Sequence, residues 1–316
     1  MGSDFFTTAS KVNGSMNLLK SAALLARAEL AAPVRSLRNR QLSREGKSPM
    51  GVSFYHRVAD THPNDWTLSR AEFSRHVDYC QASFELIGLD ELQRRVDKCD
   101  CTRATVTFTF DDGYAENCDF ALPLLAERQI PCVYFVAIDH VKYGRPFPHD
   151  VQAGVPLAPN TLQQLRDIAD SGIEIGLHTR NHVDFSQGSD PTVVHHEITT
   201  AKDELEQMIG RPVRYFAVPY GLPQHLTQTV IDAVHGCGML GFCSAFGSYN
   251  IVGRDSFHIR RFHGDPNFSR MRNWLSFDPH KLRREPEVKY TLTRGHASQR
   301  PSGNAGTAIN RIAVGL

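Results

Sequence analysis

The chain's reactive side chains fall in two short runs. Thr107-Phe108-Thr109-Phe110-Asp111-Asp112-Gly113 carries an apolar stretch into two adjacent carboxylates and a glycine, and His178-Thr179-Arg180-Asn181-His182 sets two imidazoles four residues apart. Neighbouring acids repel, and one of them ionises reluctantly unless a cation stands close. Neutral imidazoles are ready metal ligands. The set offers one carboxylate and two imidazoles to a metal and leaves a second carboxylate for proton transfer, the inventory of a metal-dependent hydrolase. Each run alone has a plainer explanation. Asp-Asp-Gly is commonly a turn, and His-x-x-x-His is commonly a surface or core pair.

The lead-ins favour chemistry. Val106, Phe108 and Phe110 alternate with Thr105, Thr107 and Thr109, a period of two that reads as a strand. Residues 172–177 read as a second strand ending at His178. Both runs then lie just past strand C-termini, where α/β barrels place their reactive groups. Further strands are expected at 51–55, 84–89, 132–136, 215–217 and 241–244. Between them lie helical patterns, among them a capping box at Ser69–Glu72 and a helix over 160–171 closed by Gly172. Such alternation implies parallel strands with crossover helices, and by itself suits a closed barrel or an open sheet equally.

Taken together, the two motifs resemble the polysaccharide deacetylase family with a NodB-homology domain, carbohydrate esterase family 4. Tyr215-Phe216-Ala217-Val218-Pro219-Tyr220-Gly221 is similar to that family's Arg-x-Pro-Tyr-Gly segment, with Ala217 where the family has arginine. The family's late Leu-x-Leu-x-His segment is absent. Val52-Ser53-Phe54-Tyr55-His56-Arg57-Val58 instead resembles the Tyr-His-x-Val segment of circularly permuted exopolysaccharide deacetylases. The resemblance implies a distorted (β/α) barrel of about seven parallel strands. It implies a divalent metal, zinc first, held by Asp112, His178 and His182, with Asp111 as general base. It also implies an oxyanion donor in the Tyr220 backbone N–H, and a protonated His56 as general acid, hence a bell-shaped pH profile. For the missing arginine, Arg261 is the better substitute and Arg260 stands next to it; both read equally well as solvated partners of Asp255. The activity implied is removal of N-acetyl groups from N-acetylhexosamine units of a polysaccharide, oligosaccharide or precursor. Two alternatives are a non-catalytic glycan-binding relative and an amidase acting on a non-sugar amide.

Composition sets the outer bounds. A chain of 316 residues accommodates one barrel of about 200–250 residues with tails. Lys+Arg 35 against Asp+Glu 34 is near neutral and argues against nucleic acid as a partner. Seven cysteines form no framework, and Cys99-x-Cys101 lacks metal or redox spacing, so free thiols in a reducing, cytoplasmic compartment are expected. A polymer substrate points the other way, towards export. The expected divisions are an N-terminal helix and basic linker over 1–49, a catalytic domain over 50–278, and a basic, largely disordered tail over 279–316. The amphipathic pattern over 16–27 suits packing on the barrel or association with a membrane surface.

Overall fold

The structure, a computed structural model, describes residue 30 and residues 33–292. The helix expected over 16–27 and residues 293–316 of the expected tail lie outside the described residues. No helix among the described residues is long and apolar enough to cross a membrane.

The strands are β1 (Met50–Tyr55), β2 (Arg57–Val58), β3 (Thr67–Leu68), β4 (Glu85–Leu86), β5 (Thr105–Phe110), β6 (Cys132–Val136), β7 (Glu174–Leu177), β8 (Tyr215–Ala217), β9 (Gly241–Cys243), β10 (His258–Ile259) and β11 (Phe262–His263). Nine of them form one parallel sheet, in the order β10-β9-β8-β7-β6-β5-β1-β11, with β4 paired to the start of β5. The sheet curls into a half-barrel, and β2 and β3 pair apart from it. The additions to the expected strands are two residues long, too short for any periodicity to show.

Alternation along the strands sorts side chains into two cores. Met50, Val52, Val133, Phe135, Tyr215, Ala217, Cys243 and Ile259 form one cluster. Their strand neighbours Tyr134, Val136, Phe216 and Phe242 join Val106, Phe108 and Phe110 in a larger one with the helices. Burial on both faces is what parallel strands require.

The sheet's two edges meet covalently. Only Arg260 and Arg261 separate β10 at one edge from β11 at the other. Asn250 clasps this seam: it exchanges backbone hydrogen bonds with Met50, and its side chain bonds the N–H and C=O of Arg260, each at 3.0 Å.

Two stretches differ from the sequence reading. Residues 33–44, read as basic linker, are helical. Arg35 is buried there, donating to Asn273 at 2.9 Å and lying 3.6 Å from Asp278. In the expected tail, Pro279–Arg283 is helical and Glu285 is buried against Arg254, Arg260 and Ser248. In both cases a charge that reads as solvated has found a buried partner distant in sequence.

Candidate active site

The sheet delivers its reactive residues to one end. His56 follows β1, Asp111 and Asp112 follow β5, His178 follows β7, Tyr220 lies beyond β8, and Arg261 sits in the β10–β11 link. Four of the non-glycine residues with positive φ belong here: Asp112 (75°), Thr179 (63°), His182 (55°) and Tyr220 (59°). Such conformations cost about 1–3 kcal/mol each and persist where the surroundings enforce them. Gly113 permits the turn after the two carboxylates, with φ of 90° and Val136 at 3.1 Å from where a Cβ would stand.

Asp112, His178 and His182 converge, with their donor atoms all within 4.8 Å of one another. Asp112 Oδ1 lies 3.4 Å from Nε2 of each histidine and, though buried, has no hydrogen-bond partner. His178 Nδ1 donates to the Ala217 carbonyl at 2.8 Å, which turns Nε2 and its lone pair towards Asp112. A buried, unsatisfied carboxylate oxygen between two such nitrogens is a donor set that fits a divalent cation. Burial opposes charge on both imidazoles. It prevails at His182, whose pKa falls to about 4, while the Asp112 and Asp111 carboxylates outweigh it at His178 and raise that pKa. The proton so favoured on His178 would occupy the place a cation takes, so the two compete.

The loop carrying these histidines is held by a residue the sequence reading passed over. Glu197 is buried, accepts the N–H groups of Arg180 (3.0 Å) and Asn181 (2.9 Å), and bonds the Asn181 side chain. It lies in a π-helical stretch, His195–Thr200, between two α-helical ones. The wider turn re-aims a side chain that α-helical periodicity would place elsewhere.

Asp111 is gripped by Arg261. The guanidinium donates to both carboxylate oxygens, at 2.7 and 2.8 Å, and also to the Ser244 carbonyl and Thr109 Oγ1. It lies against the rings of Phe54 (4.8 Å) and Phe135 (5.5 Å). Burial alone would raise the Asp111 pKa, but Arg261 outweighs it and holds the carboxyl below its ordinary value. Arg260 points the other way, to Glu285. Of the two candidates, Arg261 is the one that meets Asp111, from the β10–β11 link rather than from β8, where Ala217 fills the motif position.

His56 lies on the opposite side, packed on Trp66 at 4.9 Å between ring centroids. Asn117, another residue the sequence did not single out, donates to the His56 carbonyl at 2.7 Å and accepts the Val58 N–H. Fully buried Arg57 anchors the loop leading to Trp66 through the carbonyls of Thr61 and His62. Burial lowers the His56 pKa against the pull of Asp112 and Asp111. That shift works against the expected imidazolium. Tyr220 is 55% exposed, with its ring 5.1 Å from His182, and its backbone N–H has no protein acceptor among the described residues.

Residues 99–241 match the family model for polysaccharide deacetylase. No curated protein matches the chain. Among solved structures, IcaB from Ammonifex degensii is similar over 72% of this chain and 97% of its own, with 24% identity and a TM-score of 0.62. The Streptococcus pyogenes deacetylase PplD aligns over 73% of this chain and 99% of its own, at 19% identity and TM-score 0.60. A de-N-acetylase from Aggregatibacter actinomycetemcomitans aligns over 72% and 100%, at 20% identity and TM-score 0.59. Residues 99–241 therefore match the polysaccharide deacetylase model, the chain has the NodB-type barrel fold of these structures, and the match supports a hydrolytic deacetylase.

Proposed function

We propose that the protein hydrolyses N-acetyl groups from N-acetylhexosamine units of a polysaccharide or its precursor, and that its catalytic unit spans residues 50–278. The carrying observation is the Asp111–Arg261 pair standing next to the cluster of Asp112, His178 and His182. Asp112, His178 and His182 would hold a divalent cation, zinc first, which supplies a polarised carbonyl and a more acidic water.

The remaining roles belong to the chain's own groups. Asp111 accepts the proton of the attacking water. Arg261 keeps it ionised and fixes both its oxygens, each of which retains a lone pair. The Tyr220 N–H donates to the oxygen that gains charge as the carbonyl becomes tetrahedral. His56 gives a proton to the departing amine, since an amine leaves poorly as an anion. Exposed Trp66 (45%) and Tyr220 flank His56 and His182, and their rings suit stacking on a sugar. That favours a saccharide over a small amide. A binding-only reading leans on Ala217, and Arg261 on Asp111 takes that support away.

The test is acetate release from N-acetylglucosamine oligomers by metal-loaded protein. Turnover is expected, with loss on chelation and recovery on adding zinc. The His178→Ala/His182→Ala double variant is expected to bind no metal. Full metal occupancy in that variant would move the site elsewhere.

A further inference from the structure

Beside the proton donor, two buried nitrogens lack partners. His56 Nδ1 and His263 Nε2 are each buried without a hydrogen bond. Their ring centroids lie 5.9 Å apart. Both rings pack on Phe54, at 5.6 and 5.3 Å, and on Trp66, at 4.9 and 5.8 Å. The backbone fixes this neighbourhood. β11 pairs with β1 in the register Phe54↔His263, and the Gly264 N–H donates to the Phe54 carbonyl at 2.9 Å. A Cβ on Gly264 would stand 2.0 Å from the Tyr55 ring, so glycine is what lets β11 lie this close. His263 also lines a cavity of about 600 Å³ with Arg261, Asp265 and Arg270.

We propose that His263 relays protons to His56 through a water shared by His263 Nε2 and His56 Nδ1. The proposal rests on the deacetylase reading above, in which His56 protonates the amine. One water that donates and accepts satisfies both orphaned nitrogens, each of which would otherwise cost about 1–3 kcal/mol. When His56 gives its Nε2 proton to the amine, the bridging water delivers a proton to His56 Nδ1 and takes one from His263 Nε2. His263 is replenished at Nδ1 from solvent in the cavity. One proton enters, one leaves, and both rings stay neutral throughout.

That neutrality matters because burial disfavours imidazolium in both rings. It lowers His56, and it takes His263 to about 4. The charged and titratable groups facing His263 are His56, Asp265, Asp111 and His76. Those facing His56 are Asp112, Asp111, His178 and Arg261. Without a source at Nδ1, a neutral His56 that gave up its Nε2 proton would become an imidazolate.

The relay is tested on full-length, metal-loaded protein by acetate release from an N-acetylglucosamine oligomer. His263→Ala should lower kcat by about 10- to 100-fold with KM and metal content unchanged, and free imidazole should restore it saturably. His263→Gln keeps size and polarity but carries no proton between two ring nitrogens. It should be slow and beyond rescue, and its rate should vary linearly with deuterium fraction where the parent's plot is bowed. Parent-like kcat in either variant overturns the relay. So does a slow His263→Ala enzyme that imidazole leaves slow. If the parent releases no acetate, the deacetylase reading fails, and ¹⁵N NMR of the histidines still decides the bridge. His263→Gln should shift the His56 Nδ1 resonance, and an unmoved resonance overturns the pairing.

Discussion

Arg260 and Arg261 are consecutive, of one residue type, and almost equally buried, at 3% and 0% exposure, yet they serve opposite sides of the sheet. The link between β10 and β11 turns Arg261 into the barrel end, onto Asp111. It sends Arg260 outward to Glu285 at 2.6 Å, a carboxylate shared with Arg254 at 2.8 Å. Their pKa values move apart accordingly. Burial lowers Arg260, and Arg254 adds to it; at Arg261 the Asp111 charge overcomes burial and raises the value. Neither burial nor ion pairing therefore marks a functional arginine. In the proposed mechanism, what marks it is whether the partner has further chemistry to do. Asp111 stands beside the cation-fitting cluster, whereas Glu285 ties residues 279–292 to the barrel.

The sharpest way to break this contrast begins with the partner itself. Asp111→Asn should abolish measurable turnover while metal content stays at the parent level. Asp112→Asn should lose metal first and activity as a consequence. Equal metal loss in both variants would show that base and ligand have been exchanged.

Removing the arginines should separate chemistry from architecture. Arg261→Met leaves Asp111 buried and unpaired, so stability should drop by about 3–5 kcal/mol and kcat by at least about 100-fold. Arg260→Met leaves Glu285 with Arg254 and Ser248, so a smaller loss of about 1–3 kcal/mol is expected, with activity little changed. Denaturant midpoints and acetate release measure the two effects. Because the folded Asp111 pKa lies below its unfolded value, the Arg261 contribution is complete above about pH 3.9 and fades as pH falls through the depressed value. If both methionine variants lose activity alike, the distinction fails.

How much of this the sequence carried depends on how local each cause is. Asp111, Asp112, His178 and His182 were legible because an alternating strand that runs into ionisable residues is a local pattern. The Ser69–Glu72 capping box was legible for the same reason. Choosing between Arg260 and Arg261 was harder, because it turns on the parity of a two-residue link between strands of two residues each. Glu197 reads as one more helical glutamate until a π-helical stretch re-aims it. His56 gives no local sign of the burial that lowers its pKa. Its burial arises from the Trp66 loop and β11, which approach from distant parts of the chain. Residues 33–44 were read as linker because arginines count as solvated until a partner such as Asn273 is known.

A milder perturbation acts on the cluster through protons. His178 has a raised pKa in the absence of a cation, and its proton must leave before a cation binds. Apparent zinc affinity should therefore be flat above that raised value and fall by about tenfold per pH unit below it. Titration calorimetry across pH 5 to about 9 measures the slope. An affinity independent of pH would mean that His178 is not a ligand, and the comparison between a reactive carboxylate and a structural one would lose its anchor.

The smallest effect is expected at the seam that carries both arginines. Among the described residues, the Asn250 side chain alone bonds both the N–H and the C=O of Arg260, and its backbone is bonded to Met50 at the start of β1. Asn250→Ala removes the side-chain bonds and spares the backbone ones, so a loss of about 1–3 kcal/mol is expected. Asn250→Asp keeps an acceptor for the Arg260 N–H but turns a carboxylate oxygen towards the Arg260 carbonyl, and should be no better. Activity should fall only a few-fold in either, since Arg261 retains Asp111, Ser244 and Thr109 as partners on its own side. An unchanged denaturant midpoint in Asn250→Ala would mean that the edges are held together by the covalent link alone. Activity as low as that of Arg261→Met would mean that the seam sets the Asp111 geometry, and the two faces of the link would then be one functional unit.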